Sequence, residues 1–369
     1  MRVALVSEQL LSPVPGGTGR YTAELGAALA RTAAGDDVTG WIAWHRRSTA
    51  AWIEGVTGPR RLALPRRALI AAWERGLGPA PRAADLVHAP TPLLPPRRDR
   101  PLVCTVHDTV PWTHPETLNP RGVRWHRTMI QRAAEVADLI TVPTQVVADD
   151  LVSFVPTAAG RIEVLGGGVA RRLLIDPSPE EVAAVRSRYS LPDRFVMTLA
   201  TAEPRKGLGV LLDAMVRLGS NAPSLILVGP PGWGGVDIVA DAATKGLAAD
   251  KIRVLSRVSD PELAVLLRLA GLLIMPSLAE GFGLPVAEAM AVGTPVLCSD
   301  APALLEVGGP AVRAVPRQDP VALADALADL LASDDERSAM IRAGLERGPA
   351  FDWDAVARRA WASYAKLTG

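Results

Sequence analysis

A chain of 369 residues exceeds one ordinary domain, so length alone predicts two domains of comparable size. Hydrophobic residues at 49% and charged residues at 21% give the balance of a globular chain with a large core, and Gly and Pro, 32 each, stay below the share that marks low complexity. A formal net charge of +1 excludes a whole-molecule field that would drive the chain onto nucleic acid or an anionic membrane, and leaves only local patches for such contacts.

Cysteine occurs twice, at Cys104 and Cys298, each inside an apolar run, which argues against a disulfide framework and for a reducing compartment. The opening MRVALVSEQLL is too short in apolar length for a signal peptide, and no run approaches the ~20 residues that cross a bilayer. The expectation is a cytoplasmic protein, with peripheral contact at the inner face of the membrane left open.

In chain order, short apolar runs alternate with helix-like stretches, the pattern of parallel sheets covered by helices on both faces. The first half offers RVALVS, VTGWIAW, DLVHA, PLVCTVH, LITVP and IEVL. The second offers FVMTLA, SLILVG, IRVL, LLIMPS and PVLCSD. The α/β class and two doubly wound modules follow. Between them GGGVARRLLIDPSPEEV has no periodicity and reads as the linker, and a serine cap with an acidic first turn opens a helix at 178–191. The chain ends in FDWDAVARRAWASYAKL, a helix whose Val356, Ala360 and Tyr364 share a face.

Four places can carry chemistry. PGGTGRYTAELGAALA follows the first strand and sets Gly16 and Gly17 before a helix, where free amides and the helix dipole favour an anion. It is not a dinucleotide fingerprint, because Thr22 stands where a small residue is needed; a plain tight turn is the alternative. Next, ATAEPRKGLGVLLDAM places Arg205 and Lys206 at the carboxyl end of a strand, where open α/β sheets bind ligands and two cations suit a diphosphate. The alternative is a solvated pair.

EGFGLPVAEAM sets Glu280 in a loop and Glu288 about one turn into a helix, at the same sheet edge. A carboxylate there can accept hydrogen bonds from neighbouring sugar hydroxyls, or can simply favour the dipole of the helix start. Finally, His107 closes the apolar run PLVCTVH and is followed by Asp108. A histidine at a strand end is either structural or a functional group at the ligand edge.

Together these residues resemble the retaining nucleotide-sugar glycosyltransferases of family GT4, which have the GT-B fold of two Rossmann-like parallel-sheet domains facing across a cleft. GGTGRYTAEL, TVHDTVPWTHPE, LATAEPRKGLGVLLDAM, LILVGPPGWGG, EGFGLPVAEAMAVGTPVLCSDAPALLEV and the closing FDW helix occur in family order over nearly the whole chain. The resemblance implies an N-terminal acceptor domain over 1–170, a donor domain over 171–350, and a C-terminal helix at 351–369 packing back on the first.

It further implies that Glu288 binds the donor ribose, and that Glu280 holds the sugar with backbone amides of the Gly281, Phe282, Gly283 and Leu284 turn. Arg205 and Lys206 neutralise the diphosphate with help from Gly16 and Gly17, backbone at Arg257 and Val258 borders the base, and His107 hydrogen-bonds the reacting sugar. Departures are Ala200 where some relatives have another arginine, LGGGV at the linker, and Gly207 after Arg-Lys. No cofactor and no metal are required on this reading. The Asp352 and Asp354 pair starts the last helix and is more simply a cap.

The expected activity is transfer of a hexose from a nucleotide-diphosphate sugar to a glycan, lipid-linked or small-molecule acceptor. The EPRK and GPPGWGG forms are similar to the mannosyltransferase branch and favour GDP-mannose. A UDP-sugar transferase, a nucleotide-sugar 2-epimerase and a catalytically inactive scaffold are the alternatives. On the acceptor side, Arg60, Arg61, Arg66, Arg67 and Arg75 surround an apolar stripe of Leu69, Trp73 and Leu77, while Arg121, Arg124 and Arg127 lie on one helix face near Trp125, in a patch reaching Arg132. These stretches suit a phospholipid surface or an acceptor phosphate, or are solvated basic faces.

Overall fold

The computed structural model describes residues 1–231 and 237–369. Residues 232–236, which include the last four of the GPPGWGG motif, lie outside the described residues. The chain divides into two compact units, Met1–Gly168 with Asp352–Gly369, and Val169–Phe351.

The first unit holds β1 (Arg2–Val6), β2 (Asp37–Trp44), β3 (Thr57–Pro65), β4 (Leu86–Ala89), β5 (Leu102–Thr105), β6 (Leu139–Val142) and β7 (Ile162–Val164). They form one sheet in the order β3-β2-β1-β4-β5-β6-β7, with every neighbouring pair parallel. The inner strands are mostly apolar because helices cover both faces; β4 and β5 are buried at every position, their polar His88 and Thr105 included. The closing helix Trp353–Thr368 completes this unit. Val356, Ala360 and Tyr364 are fully buried, Trp361 donates to the Leu29 carbonyl at 3.2 Å, and Arg31 pairs with Asp354 at 2.7 Å. Asp352 caps that helix by accepting from the amides of Asp354 and Ala355, which satisfies two of the amides orphaned at any helix start.

The second unit holds β8 (Phe195–Leu199), β9 (Ser224–Val228), β10 (Ile252–Leu255), β11 (Leu273–Met275), β12 (Val296–Ser299) and β13 (Val312–Val315). Their order is β10-β9-β8-β11-β12-β13, again all parallel. Chain order reverses between β8 and β11. Loops leaving two adjacent strands on either side of such a switch point diverge, and the crevice between them is where open α/β sheets take ligands. Ser178 begins the unit's first helix, Pro179–Tyr189, with a capping box closed by Glu181.

The basic stretches differ from the sequence expectation. Leu69 and Trp73 are fully buried in the core of the first unit, and the Trp73 indole donates to the Pro79 carbonyl at 2.8 Å, so of the expected stripe Leu77 alone is exposed. Arg60 and Arg61 lie on the edge strand β3, and Arg75 caps the helix Arg66–Glu74. On helix Pro120–Val136, Arg121 and Arg124 face solvent, but Arg127 turns inward to the Pro111 carbonyl at 2.9 Å and Trp125 to Glu74 at 2.8 Å. Apolar positions at helical spacing recur for a core face as readily as for a membrane face, and here the core takes them.

Candidate functional site

The loops after β8 and β11 carry a cluster of four charged side chains, Glu203, Arg205, Lys206 and Glu280. After β8 the chain makes a 3₁₀ turn, Pro204–Lys206, then enters helix Leu208–Leu218. Gly207 joins the two with φ +65°, and a Cβ there would lie 2.0 Å from the Pro276 carbonyl oxygen just past β11. Only glycine permits both that conformation and that approach. The amide of Leu278 donates to the Arg205 carbonyl at 2.8 Å, so the two loops are laced by backbone.

Side chains complete the lacing. Glu280 accepts from Lys206 Nζ at 2.7 Å and from Ser277 Oγ at 2.8 Å on Oε1, and from Arg205 Nη1 at 3.1 Å on Oε2. Arg205 also donates to the Ala279 carbonyl at 2.8 Å and to Glu203 at 2.7 Å. Burial opposes ionisation of Glu280, but Lys206 and Arg205 with the hydrogen bonds from Lys206 and Ser277 outweigh it and hold its pKa down to about 2. At Glu203 burial prevails over Arg205 and Lys206, with Glu280 adding to it, and the pKa is raised. The cluster therefore alternates two cations with two carboxylates.

The turn from Glu280 to the next helix is built for close backbone approach. Gly283 caps helix Leu284–Ala291 with φ +87°, and a Cβ there would meet Leu304 Cδ2 at 2.5 Å. Gly281 is buried, and the half-buried Phe282 ring meets Phe351 edge-on at 5.9 Å, which anchors the turn. Glu288 lies on the first turns of that helix and is 2% exposed. Arg257 and Val258 follow β10, the edge strand, with Arg257 exposed and Val258 packed against the core. All of these belong to loops or helix starts at the carboxyl ends of the parallel strands.

In the first unit, Gly16 and Gly17 are exposed at the start of helix Gly16–Thr32; Gly16 has φ +59°, and a Cβ at either would meet nothing within 4 Å. His107 stands two residues past the end of β5 rather than closing it. Its Nε2 lies 2.8 Å from the Pro90 carbonyl, which can only accept, so Nε2 carries the proton. The ring is edge-on to Tyr21 at 4.8 Å. Burial lowers the His107 pKa against the opposing pull of the Pro90 bond and Asp108, so the neutral ring presents Nδ1 as an acceptor.

Sequence reasoning brought together Arg205, Lys206 and Glu280 but passed over Glu203 and Ser277. The signal at Glu203 was its place in EPRK, two residues before the arginine that it holds. At Ser277 it was the hydroxyl three residues before Glu280.

Residues 185–347 match the family model described as glycosyl transferases group 1, and residues 15–172 match that of glycosyltransferase family 4. The O-antigen chain mannosyltransferase B of Escherichia coli is 30% identical over 376 residues, covering 96% of this chain and 97% of that one. The chain belongs to glycosyltransferase family 4. Among solved structures, the sucrose-phosphate synthase of Thermosynechococcus elongatus superposes with a TM-score of 0.78 at 23% identity, covering 100% of this chain and 99% of that one. Anabaena HepE, solved with UDP and glucose, gives 0.76 at 19% identity over the whole of both chains. This glycosyltransferase has two Rossmann-like domains of the GT-B class. Among the described residues no helix is long and apolar enough to cross a membrane.

Proposed function

We propose that this glycosyltransferase moves mannose from GDP-mannose to a hydroxyl of a glycan, lipid-linked or small-molecule acceptor, with retention of anomeric configuration. The observation that carries the donor reading is the Arg205, Lys206 and Glu280 cluster at the switch point of the second sheet. The mannosyl assignment rests on the E. coli relative, a mannosyltransferase over nearly its full length.

In this reading the diphosphate sits against Arg205 and Lys206, and Glu280 passes from the cations to sugar hydroxyls, joined by the amides of the Phe282, Gly283 and Leu284 turn. Glu288 takes the ribose, and backbone at Arg257 and Val258 borders the base. Breaking the bond from the sugar carbon to the diphosphate leaves its electron pair on the leaving oxygen. Arg205 and Lys206 stabilise that charge, so catalysis is electrostatic and positional and requires no metal. The acceptor oxygen forms the new bond to the sugar carbon, and its proton is taken up by the departing diphosphate oxygen. His107 Nδ1, the ring nitrogen not engaged by Pro90, can accept from a sugar hydroxyl.

Thermal-shift titration with GDP, UDP and their sugars tests the donor, because a ligand that binds the folded state raises Tm by mass action. GDP and GDP-mannose are expected to stabilise. Stabilisation by UDP alone would overturn the guanine assignment and return the UDP-sugar alternative. Incubation with donor alone separates a 2-epimerase, which releases an epimeric product, from a transferase.

A further inference from the structure

We propose that Glu203 is a positioning residue of this donor site, a buried carboxylate that keeps the Arg205 guanidinium oriented while Glu280 changes partners. The inference rests on the donor reading above. Arg205 is held by the Ala279 carbonyl and Glu280 through Nη1, and by Glu203 through Nη2. When sugar hydroxyls recruit Glu280, Glu203 stays on Nη2 at 2.7 Å, and a guanidinium that keeps such a carboxylate keeps that charge-assisted geometry.

Backbone fixes Glu203 in that place. The Lys206 amide closes the turn on the Glu203 carbonyl at 3.1 Å, and Gly207 seats the turn against Pro276. At 2% exposure the carboxylate is out of reach of bulk water. Its position is costly: burial raises its pKa, so ionising this carboxyl costs more in the folded chain than in water. A carboxylate kept at a cost to the fold points to function rather than to stability. Glutamine has the same shape, and its carbonyl can still accept from Arg205, whose charge Glu280 continues to balance in the free protein.

The experiment compares the wild type, Glu203→Gln and Glu203→Asp by calorimetric titration with GDP-mannose and with UDP-glucose, alongside Tm, with GDP and UDP as sugar-free controls. Glu203→Gln is expected to keep or raise Tm and to bind the nucleotide sugar about tenfold more weakly at pH 8, because one hydrogen bond to Arg205 loses its charge assistance, while the sugar-free nucleotides, which leave Glu280 on Arg205, lose less. The ratio of wild-type to variant affinity should then fall toward one as pH drops and Glu203 takes a proton. Glu203→Asp keeps the charge but not the reach and should weaken binding as well; it decides the matter if the glutamine variant does not fold. Equal affinity in either folded variant overturns the inference, as does a loss that only follows a fall in Tm. Wild type that binds neither nucleotide sugar overturns the donor reading, and the inference with it.

Discussion

Glu280 and Glu203 share Arg205, yet their proton affinities move in opposite directions. Glu280 answers to two cations and the Ser277 hydroxyl, Glu203 to one guanidinium at hydrogen-bond distance. With its folded pKa about 2 against an ordinary 4.5, Glu280 stabilises the fold above the ordinary value, and that contribution is lost as pH falls through about 2. By linkage it amounts to roughly 3 kcal/mol at neutral pH. Glu280→Gln should lower the unfolding free energy by about that much at pH 7, with the deficit shrinking between pH 4.5 and 2. Urea denaturation at a series of pH values measures it; a deficit as large at pH 2.5 as at pH 7 would refute the ion-pair account. His107 allows a second prediction. In its proposed role the neutral His107 ring only accepts from a sugar hydroxyl and contributes little to nucleotide binding, so His107→Ala should lower kcat by roughly 10²-fold and change the donor Kd less than threefold. Normal turnover in that variant rules the role out.

Most strands were legible, including the edge strands β7 and β10, which keep short apolar runs. Every inner strand reads as an apolar run because both its faces are covered. The two strands that the sequence reading missed, β3 and β13, are both edges. TGPRRLALP carries adjacent arginines and two prolines, the features that keep an exposed edge from pairing with another chain, and they erase the apolar signal. VRAV is short and breaks its run with Arg313. The same contrast holds within the site. EGFGLPVAEAM is legible because glycine and proline mark a turn and a helix start, whereas Glu203 is one acid before a turn, and its burial is a tertiary fact. The turn itself is testable. Gly207→Ala forces φ +65° on a residue with a Cβ and drives that Cβ to 2.0 Å from the Pro276 oxygen. The expected cost is about 1–3 kcal/mol for the backbone conformation, and more for the collision. Because Arg205 and Lys206 move with the turn, GDP affinity should fall along with Tm. A variant with unchanged Tm would show that the two loops are not laced in this way.

At the scale of the whole chain, sequence order and structural units do not coincide, because the last helix belongs with the first residues. Helix Trp353–Thr368 packs on helix Gly16–Thr32 and buries Trp353, Val356, Ala360 and Tyr364 almost completely. The Tyr364 hydroxyl meets His88 Nδ1 at 2.6 Å beneath β4, and Arg359 reaches the Leu165 carbonyl. Removing a single buried aromatic costs about 3–5 kcal/mol, and a domain's entire stability is about 5–15 kcal/mol. Losing two aromatics, two aliphatic contacts and a buried hydrogen bond together therefore exceeds what the first unit can withstand. The second unit has its own two hydrophobic clusters, and none of their residues comes from the last helix. Truncation after Phe351 should accordingly unfold residues 1–168 and leave 169–351 folded, with its cation and carboxylate cluster intact. Limited proteolysis checks this: the first unit is digested while a fragment beginning near Val169 survives, and GDP still protects that fragment. A truncated protein in which both units resist digestion equally would show that the terminal helix is not what closes the first unit.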